Sequence, residues 1–226
     1  HFQSDGYLSE ASAERYDHQV EVLFGGGAAA MRRQALVPLR AALLGCPDAA
    51  GTARLLDIGC GTGAFLREVK RNYPRLSVTG LDLSAPYLAV ARRRLAAWSR
   101  VEWSEAAAEA MPFASGEFDI VTSIYLFHEL PRRQRRAVAA EICRVLKPGG
   151  WLVFVDSLQS GDVPDYDALL EYFQFALHEP YYASYLGEDL DRLMQPGLMP
   201  AGCALAYFSK VLTYRREDGN ALDHNM

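Results

Sequence analysis

Leu55-Leu56-Asp57-Ile58-Gly59-Cys60-Gly61-Thr62-Gly63 joins two different periodicities. Residues 54–58 are a short apolar run that stops at glycines, the pattern of a buried strand. Residues 63–72 then carry Phe65, Leu66 and Val69 at helical spacing until Pro74 ends them. Glycines at such a junction admit positive φ and let a ligand lie against bare backbone. The alternation continues outward in both directions. Residues 77–83 read as a second strand, and 86–98 as a helix with Leu88, Ala91, Leu95 and Trp98 on one stripe. A third strand is expected at 101–103, a fourth at 118–125, and a helix at 132–146 closed by Lys147-Pro148-Gly149-Gly150. Residues 151–155 form a fifth, apolar strand. Continuous apolar strands separated by helices predict an α/β fold, a doubly wound, mostly parallel sheet covered on both faces.

Two helices, 11–24 and 28–44, precede the sheet, parted by Gly25-Gly26-Gly27. Residues 1–50 are therefore expected as a helical N-terminal cap and 51–215 as the main domain. Helices at 165–177 and 187–194 fall in a lid at about 158–196. Residues 204–207 and 210–215 pair as a terminal antiparallel unit, bringing the sheet to seven strands, and 216–226 form a tail. Ligands of such sheets bind beyond the carboxyl ends of the strands. The places to look are residues 57–63, 82–84, 106–109, 123–129 and 156 onward.

Composition narrows the function classes. The 226 residues are 50% apolar and 23% charged, the balance of a globular protein. No apolar run reaches the ~18 residues of a spanning helix, and residues 1–5 lack the basic-then-apolar pattern of a secretory leader. No membrane partner and a cytoplasmic location are expected. Lys plus Arg total 23 against 28 Asp plus Glu, a net charge of −5, which disfavours a nucleic-acid partner. Cys46, Cys60, Cys143 and Cys203 lie far apart with no zinc-like spacing, so neither a disulfide framework nor a metal site is expected. Arg92-Arg93-Arg94 and Arg132-Arg133-Gln134-Arg135-Arg136 read as solvated helix faces.

The glycine loop has two readings. Gly59-x-Gly61-x-x-Ala64 satisfies a dinucleotide fingerprint, and Asp82 ends the next strand where a carboxylate can accept both ribose hydroxyls. This spacing indicates a nucleoside cofactor without choosing among cofactors, and an NAD-dependent oxidoreductase stays open. Asp57, two residues before the first glycine, opposes a pyrophosphate and suits an ammonium group.

Taken with Gly80-Leu81-Asp82-Leu83-Ser84, Ala108-Glu109-Ala110-Met111-Pro112-Phe113, Phe118-Asp119-Ile120-Val121 and Arg144-Val145-Leu146-Lys147-Pro148-Gly149-Gly150, the loop resembles the class I S-adenosylmethionine-dependent methyltransferases. The likeness is to their small-molecule branch, which includes ubiquinone, menaquinone and natural-product enzymes. It implies a Rossmann-like methyltransferase fold and S-adenosylmethionine as cofactor. It also implies site residues: the backbone of Gly59, Cys60 and Gly61 as cradle, with Asp57 toward the amino group. Asp82 would hold the ribose and Leu83 the adenine face. Ala107 stands where relatives often carry an Asp that binds the adenine amine, so recognition there falls to the backbone of Ala107 and Ala108, and Ser123 falls near the methionine part. Tyr16-Asp17 resembles a pair that closes over the cofactor.

Methyl transfer from a sulfonium needs positioning and exclusion of water, and a base only when the nucleophile arrives protonated. His128 and Glu129, where many relatives carry two histidines, are the first candidates; a second His-Glu pair, His178-Glu179, precedes Pro180-Tyr181-Tyr182, and His178 and Tyr181 are the second candidates. Seven aromatic residues between Tyr166 and Tyr185 suggest a pocket wall suited to an aromatic or cationic small-molecule acceptor. A non-catalytic S-adenosylmethionine-binding partner protein is the remaining alternative. No Asn/Asp-Pro-Pro-Tyr run follows the fourth strand, which sets aside amino methylation of nucleic-acid bases.

Overall fold

The structure is a computed structural model that describes residues 9–46 and 52–218. Its elements run α1 (Glu10–Leu23), α2 (Ala28–Arg33), α3 (Leu36–Leu44), β1 (Arg54–Ile58), α4 (Ala64–Asn72), β2 (Ser77–Asp82), α5 (Ala85–Arg94), β3 (Val101–Glu105) and β4 (Phe118–Ile124). A 3-10 turn (Phe127–Glu129) follows, then α6 (Arg132–Val145), β5 (Leu146–Ser157), α7 (Asp167–Ala176), α8 (Tyr182–Leu186), α9 (Leu190–Met194), β6 (Leu198–Ala206) and β7 (Ser209–Arg216).

The strands form one seven-stranded sheet in the order β3-β2-β1-β4-β5-β7-β6. The first five of these are parallel, and β7 pairs antiparallel with both β5 and β6. Because side chains alternate across a strand, each strand feeds two cores. Leu55, Val78, Ile120 and Val153 face a layer containing α3, α4 and α5; Leu56, Val121, Leu152 and Phe154 face one containing α6, α8 and α9. From β1 the chain proceeds outward to β2 on one side, and β4 lies on the other. The crevice beyond the β1 and β4 carboxyl ends is thus the topological switch point, where doubly wound sheets bind ligands.

Gly63 starts α4 with φ +72°, and a Cβ there would stand 3.0 Å from both Ala91 of α5 and Leu95 just beyond its end. Only glycine satisfies both the left-handed backbone and this close packing. Lys70, fully buried in α4, donates its ammonium to the carbonyls of Pro74 (2.9 Å) and Leu76 (2.7 Å) and so closes the helix end.

Several expected boundaries are corrected. The expected 28–44 helix is two, broken between Arg33 and Leu36. The helix expected to reach residue 98 ends at Arg94, yet Leu95 and Trp98 still pack on the core through the turns that follow. Lys147-Pro148-Gly149-Gly150, read as a stop, is part of β5. Between the pairs Phe118↔Leu146 and Ile120↔Trp151, β4 advances two residues while β5 advances five, and the bulge absorbs the Pro-Gly-Gly segment. The 165–177 helix is a 3-10 turn, Pro164–Tyr166, followed by α7, while α8 was not foreseen and only residues 190–194 of the last expected helix are helical. Strand β6 begins at Leu198, six residues earlier than expected, because an exposed edge strand carries no burial alternation to announce it. Arg216 belongs to β7 rather than to a tail, and residues 219–226 lie outside the described residues.

Gly80 is required by packing. A Cβ there would lie 2.6 Å from the Trp103 ring and 2.9 Å from Cys60 Sγ. Gly80→Ala should lose about 1–3 kcal/mol of stability in urea unfolding, and adding Trp103→Leu should return part of it. Unchanged stability in the single variant would contradict this packing.

Candidate functional site

The loop after β1 presents left-handed glycines at positions 59 (φ +64°) and 61 (φ +54°). A Cβ on Gly59 would press on Leu126 at 3.1 Å, whereas at Gly61 it would meet only Tyr87, at 3.9 Å, so backbone at Gly61 borders open space. Asp82, at the end of β2, braces the loop. One carboxylate oxygen accepts the Gly61 N–H (2.8 Å) and the other the Ser84 N–H (2.9 Å). Burial raises its carboxyl above the ordinary range, against the pull of these bonds. Leu83 follows with its side chain turned out, 66% exposed. Ala106 ties the end of β3 to β2 through its N–H to the Asp82 carbonyl (3.1 Å), which sets half-buried Ala107 and Ala108 beside that corner.

Asp57 lies beneath the loop, only 2% exposed. Among the described residues it accepts one hydrogen bond, from Thr122 Oγ1 at 2.6 Å. Burial, reinforced by the charge of Asp82 and opposed by the Thr122 bond, pushes its carboxyl up to about 7. The Cys60 thiol is also pushed up by burial, which leaves it a packing group rather than a nucleophile. Ser123, fully buried at the end of β4, has no hydrogen-bond partner for its hydroxyl among the described residues.

The N-terminal cap is clamped onto this loop. Asp17 accepts the Thr62 hydroxyl (2.9 Å) and pairs with Arg94, whose guanidinium also reaches the Thr62 carbonyl (2.8 Å). Tyr16 packs edge-on against Tyr87, with ring centroids 5.4 Å apart. Burial, then the charge of Glu129, raises its phenol. Arg94, read in the sequence as part of a solvated run, is a structural tie between cap and loop.

Beyond β4 the chain turns through Tyr125, whose φ of +56° is uncommon for a bulky residue. The turn delivers His128 to Asp156, a fully buried carboxylate at the end of β5. Asp156 accepts His128 Nδ1–H at 2.5 Å, the Phe127 N–H at 2.8 Å and the Ser157 N–H at 2.8 Å. His128 Nε2 faces Glu179, 3.8 Å away. Burial opposes charge on the imidazole, but Asp156 outweighs it, followed by Glu179 and Glu129, and its value rises to about 10. Glu179 is pushed up to about 7 by burial and by the charges of Glu129 and Asp156, against the pull of His128. Glu129 acts on both sides, on Tyr16 and Tyr87 toward the glycine loop and on His128 and Glu179 away from it.

Of the second candidate pair, His178 is exposed, and its neighbour Glu179 is the group that reaches His128. Tyr181 contributes its carbonyl to Arg135 (2.8 Å), while the rings beside His128 belong to Tyr182 and Tyr185, at centroid distances of 6.1 and 6.2 Å. Arg135 is another correction: it is fully buried, and donates to the Phe127 carbonyl (2.9 Å), Ser184 (3.0 Å) and Glu188 (3.0 Å). It therefore fixes the 3-10 turn against α8. Asp156 stands at a place the strand ends mark out, but nothing in its local sequence shows that it holds His128. Tyr166, Tyr172 and Phe175 are exposed while Tyr182 and Tyr185 are buried in the core, so the cluster divides between surface and core rather than lining one pocket wall.

Residues 55–150 match the family model described as a methyltransferase domain. Over 221 residues the chain is 30% identical to the ubiquinone/menaquinone biosynthesis C-methyltransferase UbiE of Methylobacterium nodulans, covering 92% of this chain and 83% of that one. It is 33% identical, over 75% of its length, to the UbiE of Desulfotalea psychrophila, of which it spans 65%, just under two thirds. Among solved structures, the N-methyltransferase NodS of Bradyrhizobium japonicum WM9, in complex with S-adenosyl-l-homocysteine, aligns with a TM-score of 0.60. That alignment covers 82% of this chain and 86% of NodS at 19% identity, a likeness of fold. Among the described residues no helix is long and apolar enough to cross a membrane.

Asp57 gives the ligand-free protein a pH signature. Its folded value, about 7, lies above the ordinary 3.8. The folded chain therefore holds a proton that the unfolded chain has released, and the associated stability, complete below about pH 4, is lost as pH rises through about 7. Urea unfolding across this window should show Asp57→Asn losing roughly 2–4 kcal/mol less than wild type. Parallel pH profiles for the two proteins would contradict the assignment.

Proposed function

The chain belongs to the S-adenosylmethionine-dependent methyltransferases, and on that premise we propose that it transfers a methyl group to a small-molecule acceptor held beside His128, Glu129 and Glu179. The observation that carries the reading is Asp57. A carboxylate this deeply buried, with a single hydroxyl donor, is matched by a ligand ammonium group and opposed by a pyrophosphate.

The residues fit the cofactor at each part. The orphaned Ser123 hydroxyl supports a polar ligand group at the end of β4, and the open side of Gly61 supports a ligand lying on backbone. Gly59, Cys60 and Gly61 would form the cradle, and Asp57 would pair with the amino group. Asp82, with each oxygen anchored by one N–H, would accept the ribose hydroxyls through its remaining lone pairs. Exposed Leu83 would cover one adenine face, and the backbone of Ala107 and Ala108 would border its edge. Tyr16, held down through the Asp17 clamp, would close the cleft. When bound, the cofactor supplies a methyl group on a sulfonium that is already activated for displacement.

The protein's own contribution is then position and proton handling. Asp156 fixes the His128 ring, which faces the acceptor together with Glu129 and Glu179. A carboxyl at about 7, such as Glu179, is poised to take a proton from a hydroxyl or amine nucleophile at neutral pH. Tyr182 and Tyr185, buried with their hydroxyls bonded to the Ser157 hydroxyl and carbonyl, respectively, pack their rings against His128 and help fix its orientation. The UbiE relatives are named for ubiquinone and menaquinone biosynthesis, which is compatible with an acceptor bearing a hydroxyl-type oxygen.

S-adenosylhomocysteine should bind the wild type, and Asp82→Ala should weaken it by about 1–3 kcal/mol, roughly 5- to 150-fold. Isothermal titration reads both, with NADH as the competing ligand. NADH binding in place of S-adenosylhomocysteine would overturn the proposal and favour the oxidoreductase reading.

A further inference from the structure

Three carboxylates converge on one imidazole on the acceptor side of the cleft. His128 Nε2, Glu129 and Glu179 each offer one ligand atom, and the three atoms lie within 4.8 Å of one another. They come from two separate segments, the 3-10 turn and the loop between α7 and α8, brought together by the fold. The His128 and Glu179 side chains are only 12% and 16% exposed, unlike a solvated acidic patch. The 3.8 Å gap between Nε2 and Glu179 is too long for a hydrogen bond, so the two groups face each other without bonding directly.

The fourth group lies behind the cluster. Fully buried Asp156 takes Nδ1–H of His128 at 2.5 Å, which sets the ring orientation and leaves Nε2 as the nitrogen turned toward the two glutamates. A carboxylate behind an imidazole is the usual outer support of a metal-ligating histidine. Charge points the same way. Even with the imidazole protonated, the Asp156, Glu129 and Glu179 carboxylates outnumber it three to one, and a bound cation would favour the ionised form of Glu179. The neighbouring Arg135 is already paired with Glu188.

We propose that His128 Nε2, Glu129 and Glu179 bind one divalent cation of the borderline transition-metal class, with open positions that take an oxygen of the acceptor. One imidazole and two carboxylates match Mn2+, Fe2+, Co2+ or Zn2+ better than soft ions or purely oxygen-bound ones. On binding, Nε2 releases its proton to solvent and gives its lone pair to the ion, while Nδ1–H stays on Asp156. The role given to the ion rests on the methyltransferase reading. An acceptor oxygen held on the ion ionises more readily, so Glu179 then holds the ion and no separate base is needed. The acceptor class is accordingly a molecule with a phenolic, enolic or carboxylate oxygen, not one with a cationic group.

The test is titration of Co2+ into the full chain saturated with S-adenosylhomocysteine, followed by visible absorption, with ligand affinity measured in each sample. One Co2+ per chain is expected. Glu179→Gln should weaken it at least tenfold and Asp156→Asn about 10- to 100-fold, while His18→Ala leaves it unchanged. No saturable Co2+ band, or a band that Glu179→Gln leaves at full strength, overturns the proposal while intact S-adenosylhomocysteine binding preserves the methyltransferase reading. Failure of the wild type to bind S-adenosylhomocysteine overturns that reading instead, and a Glu179-dependent Co2+ band would still uphold the ion site.

Discussion

The buried carboxylate of Asp57 is the constraint around which the cleft is arranged. It sits near the carboxyl end of a strand flanked on both sides by parallel neighbours, only 2% exposed to water. An ionised carboxylate in such a place needs a positive partner or remains protonated. Thr122 supplies one hydrogen bond from β4, enough to orient the group but not to stabilise its charge. The ligand-free protein is thus left with an unsatisfied preference, and Asp82 and Ser123, neighbours at the same strand ends, show the same incompleteness in milder form.

The rest of the molecule serves to hold that arrangement. Gly63 lets α4 and α5 approach closely, and α5 supplies the Arg94 that ties the cap to the loop through Asp17 and Thr62. On the opposite face Arg135 pins the 3-10 turn against α8, so His128 and its two aromatic neighbours keep a fixed relation to β5. Glu129 links the glycine-loop side of the cleft to the His128 side, its charge acting on Tyr16 in one direction and on His128 in the other.

Much of this was legible in the sequence, for identifiable reasons. The strands β1, β2 and β4 were readable because they are mostly apolar and buried, and the glycine loop marks the first junction, whereas edge strand β3, Val101–Glu105, alternates and is only partly buried. Asp57, Asp82 and the glycines are near one another in the chain, so spacing alone places them together. The acceptor side was less readable because its groups meet only through the fold. Asp156 and Glu179 join His128 from positions 28 and 51 residues away, respectively. His178 and Tyr181 were each one residue from the group that faces inward, an error that a turn with positive φ at His178 makes easy. Arg94 and Arg135 were hidden within charged runs, where one inward member at helical spacing cannot be told from its solvated neighbours.

The most direct test of the central claim is the proton balance of ligand binding. S-adenosylhomocysteine titrated calorimetrically at pH 6.5, in two buffers of different ionisation enthalpy, reports the protons exchanged. An ammonium group arriving beside Asp57 must ionise it, so release of most of one proton is expected from the wild type, and that release should vanish in Asp57→Asn. Binding that is indifferent to buffer in both proteins would show that Asp57 does not receive the ligand's amino group, and the account of the cleft would fail.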